Sequence, residues 1–361
     1  MAPAELLAVQ NVDINLGKAC NNRCRFCSNG EPPPEELRWA ERSTVEEEIR
    51  RRRLEGAESI GFLGGEVTLY PNLEGVVRLA REQGFRRVAL CTNASRLADA
   101  AYLARLLDAG VTRVAVSIHS HQARVEDFIT RRPGSFEQKT RALHNLVAAR
   151  RRGRLPDGLS LNTVLHRKNV EHLDRFVFFM AQLGVESIRF NFIRPCRLAE
   201  GSKAWVPRFS LVTPNILRVV TLNESELHLA LNFGDIPLCK YPRAVLADPV
   251  LRRRYVGESW DLRTDVSVTW RRQRKAMPAR STRFNWQERR LEFKSFAPTC
   301  RSCTLRESCE GVWQKYIDIY GARELASGPA LVAACLDAQR PGRTRTSRAL
   351  RRPKRPHSRN G

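Results

Sequence analysis

Short apolar runs alternate with amphipathic stretches along the amino-terminal half of this chain. The amphipathic stretches include one with Phe136, Leu143, Leu146 and Val147 on a single face, and one that Ser43 opens with Glu46 as a capping box. Six runs between them have the length and apolar content of buried strands: residues 12–16, 59–63, 87–91, 113–118, 159–165 and 187–192. Strands that each lead into a helix predict parallel pairing in a sheet buried on both faces.

Repetition of this unit predicts the fold class, an α/β protein built on a partial (β/α)6 TIM-like barrel. Its active site should lie where the strands end and the loops begin. After Pro195 the alternation stops, and residues 201–299 indicate one helix near 214–229 followed by a loop-rich basic stretch. We therefore expect an extension at 1–11, a core domain at 12–199, a smaller C-terminal domain at 200–336 and a disordered basic tail at 337–361.

The composition is ordinary for a globular protein except for its charge. The chain carries 62 Lys and Arg against 38 Asp and Glu, a net charge of +24, and nine of the basic residues fall within 340–361. This excess suits an anionic partner, but no basic helix or aromatic stacking motif accompanies it, so a solvated basic surface is favoured over nucleic-acid binding. No apolar run approaches the length of a membrane span, so we expect no membrane partner.

Ten cysteines are present, and seven of them fall into two groups. Residues 1–10 lack the basic and apolar regions of a signal peptide, so we expect a cytoplasmic, reducing location, where grouped cysteines are candidate metal ligands rather than disulfides. The first group, Cys20, Cys24 and Cys27, has the spacing CxxxCxxC after the first predicted strand. Three thiolates could hold a [4Fe-4S] cluster that leaves one iron open to another ligand. A zinc site short of one ligand and chance clustering are the alternatives.

This loop resembles that of the radical S-adenosylmethionine (radical SAM) superfamily, which often has an aromatic residue where Phe26 stands, before the last cysteine. The superfamily's GGE motif is matched by Gly64, Gly65 and Glu66 at the end of the second predicted strand, although Val67 replaces its usual proline. The resemblance implies a [4Fe-4S] cluster whose open iron binds S-adenosylmethionine. The GGE residues would line the methionyl amine, because paired glycines let the backbone approach a ligand closely.

Polar residues at later strand ends fit the same resemblance. Asn93 follows the third predicted strand, Ser117 lies near the end of the fourth and Asn162 lies on the fifth, where the superfamily often contacts the nucleotide. Capping of strand ends is the alternative for each of them. The resemblance further implies that an electron from a flavodoxin- or ferredoxin-type donor cleaves S-adenosylmethionine, and that the resulting 5′-deoxyadenosyl radical abstracts hydrogen from a substrate.

The second group combines Cys300, Cys303 and Cys309 in a CX2CX5C pattern, with Cys239 as the nearest unassigned fourth donor. A structural zinc would satisfy the same four ligands. The pattern resembles the core of the SPASM domain, but Trp313 stands where its next cysteine would be. The resemblance therefore implies one auxiliary [4Fe-4S] cluster, as in the shorter twitch variants, and makes the smaller C-terminal domain a cluster-binding one.

Cys196 follows the sixth predicted strand and would face the active site. Its thiol is a candidate catalytic hydrogen donor to a substrate radical, with a small buried packing residue as the favoured alternative. SPASM-like C-termini resemble those of peptide maturases, so the leading prediction is a radical SAM iron–sulfur oxidoreductase that modifies a peptide or protein, of the RiPP-maturase type. A small-molecule or nucleotide substrate, an RNA-binding or RNA-modifying protein and a non-catalytic electron carrier are the alternatives.

Overall fold

The computed structural model describes residues 11–260, 263–269 and 282–325. All six predicted strands are present and pair in parallel in chain order, which confirms the predicted fold class. They are β1 (Asn11–Asn15), β2 (Ser59–Leu63), β3 (Arg87–Thr92), β4 (Arg113–Ser117), β5 (Leu159–Leu165) and β6 (Ser187–Phe192). Each strand begins and ends within one residue of its predicted position.

Three further strands extend this sheet beyond the six that the sequence predicts. They are β7 (Ala230–Gly234), β8 (Thr264–Val268) and β9 (Thr282–Asn285). β7 pairs in parallel with β6, β8 pairs in parallel with β1 on the other side, and β9 adds an antiparallel strand to β8. The strand order is therefore β7-β6-β5-β4-β3-β2-β1-β8-β9. Residues after 199 thus contribute to the same sheet as the predicted core domain.

Helices connect most of the parallel strands and pack on the apolar face of the sheet. The predicted amphipathic helix is α5, which buries Leu143, Leu146 and Val147. The helices of the described residues are α1 (Arg42–Leu54), α2 (Leu73–Glu82), α3 (Ala100–Ala109), α4 (Ala123–Thr130), α5 (Ser135–Arg151), α6 (Leu173–Gln182), α7 (Phe209–Leu222), α8 (Arg243–Ala247), α9 (Pro249–Tyr255), α10 (Trp286–Leu291) and α11 (Gln314–Tyr320).

Successive residues of the strands alternate between the two faces of the sheet. In β1, Val12 and Ile14 are buried in the apolar core, whereas Asn11, Asp13 and Asn15 lie on the opposite, partly exposed face. The same alternation occurs in β3, β4 and β6. Because helices cover one face, the other face lines the inside of the partial barrel, and it carries polar side chains.

Two of the expectations about helices are wrong. α1 begins at Arg42 with Glu41 as its N-cap and no side-chain cap, so Ser43 lies inside the first turn and forms no capping box. α7 ends at Leu222 and continues only as one π-helical turn, Asn223–Leu227. The helix predicted near 214–229 therefore begins and ends earlier in the chain than expected. Its end is set by His228, which adopts the left-handed conformation (φ 52°) before β7.

The C-terminal part adds a small antiparallel sheet of β10 (Lys294–Ser295) and β11 (Val312–Trp313). The predicted tail at 337–361, Cys335 and residues 1–10 of the predicted extension lie outside the described residues. Across the parts of the chain that the structure describes, no helix combines the length and apolar character that crossing a bilayer would need.

Candidate active site

The first cysteine group lies on a loop that the GGE motif holds in place. The Gly65 amide donates to the Gly17 carbonyl and the Glu66 amide to the Ala19 carbonyl, both at 2.8 Å. A Cβ on Gly65 would lie 2.1 Å from the Ala19 oxygen, and one on Gly64 would lie 2.5 Å from the Gly17 oxygen. The backbone contact between the two loops therefore requires glycine at both positions, whether or not a ligand is bound.

The opposite side of the cysteine loop is fixed by the end of α4. The Arg23 amide donates to the Thr130 carbonyl at 3.0 Å, and the Arg25 amide donates to the Ile129 carbonyl at 2.9 Å. These bonds and those from the GGE turn hold the segment that contains Cys24 from both sides. Main-chain contacts thus position the loop from both sides, and the side chains of Asn21 and Arg25 add hydrogen bonds to Ser95 and to the Phe128 carbonyl.

Phe26 is buried within a group of rings beneath this loop. Its ring centroid lies 5.0 Å from the rings of both His119 and His166 and 5.7 Å from that of Trp205. Burial holds the pKa of both histidines well below its usual range, so both imidazoles are neutral near pH 7. The rings thus form an uncharged wall beneath the cysteine loop.

The cysteines of the first group differ in exposure, since Cys20 is exposed whereas Cys24 and Cys27 are partly buried. Burial raises the pKa of Cys24 to about 12 and that of Cys20 to about 11, and it also raises the pKa of Cys27. The charge of Cys27 contributes to the raised pKa of the other two thiols, which places the three close together. Metal binding would therefore have to displace protons from these sulfurs.

Glu66 is fully buried, and its carboxylate ties the end of β2 to the end of β3. Oε1 accepts from the Thr68 amide at 3.1 Å, from the Thr68 hydroxyl at 2.6 Å and from the Thr92 hydroxyl, while Oε2 accepts from the Asn93 amide at 2.6 Å. The chain itself thus occupies both carboxylate oxygens. Glu66 is placed to act on the site through Asn93.

Asn93 carries this network to the cysteine loop. Its Nδ2 donates to Asn21 Oδ1 at 2.8 Å and lies 3.9 Å from the Cys20 sulfur. Asn22, on the same loop, is only 7% exposed, and neither atom of its side-chain amide has a hydrogen-bond partner within the described residues. Buried amides are normally hydrogen-bonded, so this loop fits a site that closes around a further group.

Ser117 and Asn162 lie side by side on the inner face of the barrel, paired in register between β4 and β5. Asn162 Oδ1 accepts from Asn191 Nδ2 at 2.6 Å. Burial raises the pKa of the neighbouring Cys91 thiol to about 11, and the nearby side chains of Asn162 and Ser117 act to lower it. These residues form a polar row across the barrel interior, near the strand ends where the cysteine loop lies.

The second cysteine group gathers four cysteines around one small apolar pocket. Cys239 reaches the pocket from the loop after β7, and Cys300, Cys303 and Cys309 reach it from the segment between β10 and β11. Burial raises the pKa of Cys239 to about 11, and the charges of the other three thiols add to the increase. The pocket brings together the four residues that the sequence proposed as ligands.

The separation of the sulfurs bears on the kind of metal centre. Four thiolates around one zinc lie about 3.8 Å apart, because the Zn–S bond is about 2.3 Å long. Within the described residues, neither cysteine group brings three sulfurs within 4.8 Å of one another. As placed here, the sulfurs of each group are therefore farther apart than the ligands of one zinc ion.

Cys196 lies on the loop after β6 and close to the first cysteine group. Burial raises the pKa of its thiol, Arg194 and Arg197 lower that pKa, and the charge of Cys27 adds to the increase. The thiol is partly exposed. The structure thus places Cys196 at the predicted end of the barrel, and its role as a hydrogen donor stays a prediction.

Sequence reasoning missed a charged network that joins the β7 loop to the C-terminal sheet. Lys294 Nζ lies 2.9 Å from Asp235 Oδ1 and 2.7 Å from Glu310 Oε2, and Glu258 Oε1 accepts from the Asp235 amide at 2.8 Å. Burial raises the pKa of Glu258 to about 7. These are single charged residues far apart in a loop-rich stretch, so no spacing in the sequence signals their meeting.

The fold and site define a class of protein: a partial parallel α/β barrel with a three-cysteine, cluster-type site at the ends of its strands. Residues 14–180 match the family model of the Radical SAM superfamily. This part of the chain is therefore similar to a radical SAM domain. The match ends before the second cysteine group, so the resemblance of that group to a SPASM or twitch domain stays a prediction.

Curated sequence relatives match slightly more than half of the chain. A probable GTP 3′,8-cyclase of Sulfurisphaera tokodaii is 27% identical over 202 residues, which are 54% of this chain and 59% of that protein. One of Metallosphaera sedula is 24% identical over 216 residues, 60% of this chain and 66% of that protein. The chain thus spans less than two thirds of the length of these relatives.

Solved structures resemble the chain over most of its length. SuiB of Streptococcus suis bound to S-adenosylmethionine superposes with a TM-score of 0.57 at 15% identity, over 90% of this chain and 77% of SuiB. Native anSMEcpe with bound AdoMet and a Cp18Cys peptide gives a TM-score of 0.60 at 14% identity, over 91% of this chain and 94% of that protein. At this identity, the likeness establishes the shared fold.

Proposed function

We propose that this chain is a radical SAM enzyme that cleaves S-adenosylmethionine reductively and abstracts hydrogen from a substrate. The observation that carries the proposal is the first cysteine site, in which three thiols lie on a loop clamped between the GGE turn and α4 at the carboxyl ends of a parallel sheet. A bound [4Fe-4S] cluster with S-adenosylmethionine would supply the radical chemistry, using an electron from a flavodoxin- or ferredoxin-type donor.

The chain's own residues would bind and orient that group. The thiolates of Cys20, Cys24 and Cys27 would hold the cluster. Asn93, fixed by Glu66 and close to the Cys20 sulfur, would help to position the methionyl end of S-adenosylmethionine. The polar row on β4 and β5 that contains Ser117 and Asn162 would contact the nucleoside, and the ring wall around Phe26 would exclude water.

We also propose that Cys239, Cys300, Cys303 and Cys309 hold an auxiliary [4Fe-4S] cluster. Their shared apolar pocket supports one common metal centre, and the resemblance of the CX2CX5C pattern to the SPASM core favours a cluster over zinc. Because Cys239 belongs to the loop after β7 of the barrel sheet, the auxiliary cluster would be attached to the barrel through one of its own ligands.

A peptide or protein is the substrate that we propose. In the described residues the edge strands β7 and β9 do not pair with each other, so the sheet stays open along one side, where an extended chain could enter. The resemblance in fold to SuiB and anSMEcpe, both of which have been solved with peptides, supports this choice. A nucleotide is the second candidate, which the relatives named GTP 3′,8-cyclases favour.

Release of 5′-deoxyadenosine tests the proposed activity. Anaerobically reconstituted protein, given dithionite and S-adenosylmethionine, should release 5′-deoxyadenosine even without substrate, and liquid chromatography with mass detection would measure it. Cys24→Ala should abolish the release because it removes a cluster ligand. Ser28→Ala, an exposed change on the same loop, is the matched control. Wild-type protein that binds its iron but releases no 5′-deoxyadenosine would contradict the proposal.

A further inference from the structure

A partly buried arginine lies near both cysteine sites. Arg194 follows β6 and precedes Cys196, whose thiol is close enough to Cys27 for their charges to interact. Its guanidinium carbon lies 4.4 Å from the ring centroid of Trp286 and 5.0 Å from that of Trp313. Trp313 belongs to β11, four residues after Cys309 of the second site. Arg194 therefore links the loop near the first site to β11, whose Val312 lines the pocket of the second.

Two hydrogen-bond donors are left unused at this point. Arg194 Nε and Trp313 Nε1 are both buried, and neither has a hydrogen-bond partner within the described residues. Trp313 is only 1% exposed. Guanidinium and indole groups donate hydrogen bonds and accept none, so only an acceptor can satisfy them.

The protein does not provide a counter-ion for Arg194 in the part of the chain that the structure describes. Asp235 interacts with the guanidinium electrostatically, but it lies outside ion-pair distance and its carboxylate is 2.9 Å from Lys294. The nearby Arg290 adds a like charge. A partly buried cation is costly when it has no anionic partner, and the two aromatic faces compensate only in part.

We propose that Arg194, together with the indole N–H of Trp313, binds an oxyanion of the substrate, a carboxylate or phosphate group, between the two cysteine sites. The inference rests on the proposed function in that it names the chemical class of the substrate. A guanidinium matches either anion because its parallel N–H groups fit two oxygens at once. A carboxylate would come from an acidic peptide side chain or terminus, and a phosphate from a nucleotide.

Calorimetric binding to the reconstituted holoprotein tests the proposal with two pairs of probes. GTP is compared with guanosine, and acetyl-Glu-amide with acetyl-Gln-amide, so that each pair differs in the anion. One charged probe should bind at least tenfold more tightly than its uncharged partner, and Arg194→Met should remove that preference. Arg194→Lys should bind with intermediate affinity, because it keeps the charge and loses the second donor.

The charged probe that binds more tightly than its uncharged partner identifies the source of the oxyanion. Titration with inorganic pyrophosphate, or with acetate if the acidic peptide probe wins, should also change the tryptophan emission in wild-type protein and not in Arg194→Met. Arg86→Met, at a position whose side chain is 82% exposed, should behave as wild type in both measurements. Near-ultraviolet circular dichroism shows whether each variant keeps its fold.

Two results would overturn the proposal: no preference for either anion in the wild type, or an unchanged preference in a folded Arg194→Met variant. If Arg194→Met does not fold, the test passes to Arg194→Lys. The proposal is then overturned if Arg194→Lys prefers the charged probe as strongly as wild-type protein does and the anion changes the tryptophan emission of neither protein. The binding comparison involves no turnover. Failure of wild-type protein to release 5′-deoxyadenosine would therefore contradict the proposed function separately.

Discussion

At the scale of single residues, Glu66 shows how a motif residue can act indirectly. Its carboxylate accepts four hydrogen bonds from the chain, so it organises the ends of β2 and β3 rather than presenting a free charge. The sequence placed Glu66 at the site through the GGE resemblance, but it could not show which partners the carboxylate would find. Two of those partners, Thr92 and Asn93, stand at the end of β3, 26 and 27 positions later in the chain.

Glu66→Gln should destabilise the fold by about 2 kcal/mol or more, because a side-chain amide would turn a donor toward N–H groups that need an acceptor. Urea unfolding of the reduced apoprotein measures the change. Glu74→Gln is the matched control, since Glu74 makes a partly exposed pair with Arg105 and the change should cost less than about 1 kcal/mol. Equal effects of the two variants would show that Glu66 is not the anchor that its contacts indicate.

Gly65→Ala tests the close approach of the two loops. The new Cβ would meet the Ala19 oxygen at 2.1 Å, so the cysteine loop must move away from the GGE turn. We expect a loss of stability of about 2 kcal/mol and a lower iron content after reconstitution. Gly153→Ala meets nothing within 4 Å and should cost only about 1 kcal/mol, from its left-handed φ of 72°, with normal iron content. Full iron loading in Gly65→Ala would show that the close contact between the GGE turn and the cysteine loop is not needed to hold the iron.

At the scale of elements, the sequence predicts best where its pattern is strongest. The strands β1 to β6 were found from apolar runs followed by helices, and all six exist. β7 was missed because no glycine or proline separates it from α7, and His228 makes the break instead. β8 reads TDVSV, which has too few apolar residues to stand out, and it became a strand because β1 offers it an edge.

The loops after β7 contain a group that should make stability depend on pH. Burial raises the pKa of Glu258 to about 7, so the folded protein keeps this proton over a range where the unfolded chain has lost it. The folded state then binds more protons, and stability falls as pH rises from about 4.5 to 7. At lower pH both states are protonated and this effect disappears.

Glu258→Gln should remove that dependence, because glutamine keeps the acceptor for the Asp235 amide and cannot ionise. Between pH 5 and pH 8, wild-type protein should lose roughly 2 kcal/mol more stability than the variant. Urea unfolding at the two pH values provides the comparison. Parallel losses in both proteins would mean that Glu258 ionises in the fold as easily as in the unfolded chain.

At the scale of the whole molecule, the two cysteine sites depend on one sheet. The first site follows β1, whereas Cys239 of the second follows β7, and both strands belong to the same sheet. Six of the seven grouped cysteines could be assigned to their groups because they lie close together in the sequence. Cys239 is distant in sequence, and only the chain topology brings it to Cys300, Cys303 and Cys309. It could not indicate the contacts of Arg194 with Trp286 and Trp313, which depend on how α10 and β11 pack on the loop after β6.

Iron content separates the two sites. Wild-type reconstituted protein should hold about eight irons per chain, and Cys303→Ala and Cys24→Ala should each hold about four, because each removes one ligand of a four-iron site.

Only Cys303→Ala should also expose the segment around β10 and β11 to protease, since the second centre would join that segment to the loop after β7. Cys24→Ala is thus the control for general loss of iron. One zinc in place of four irons would disprove the auxiliary cluster, and equal protection of that segment in both variants would show that the ion pairs of Lys294 suffice to hold it.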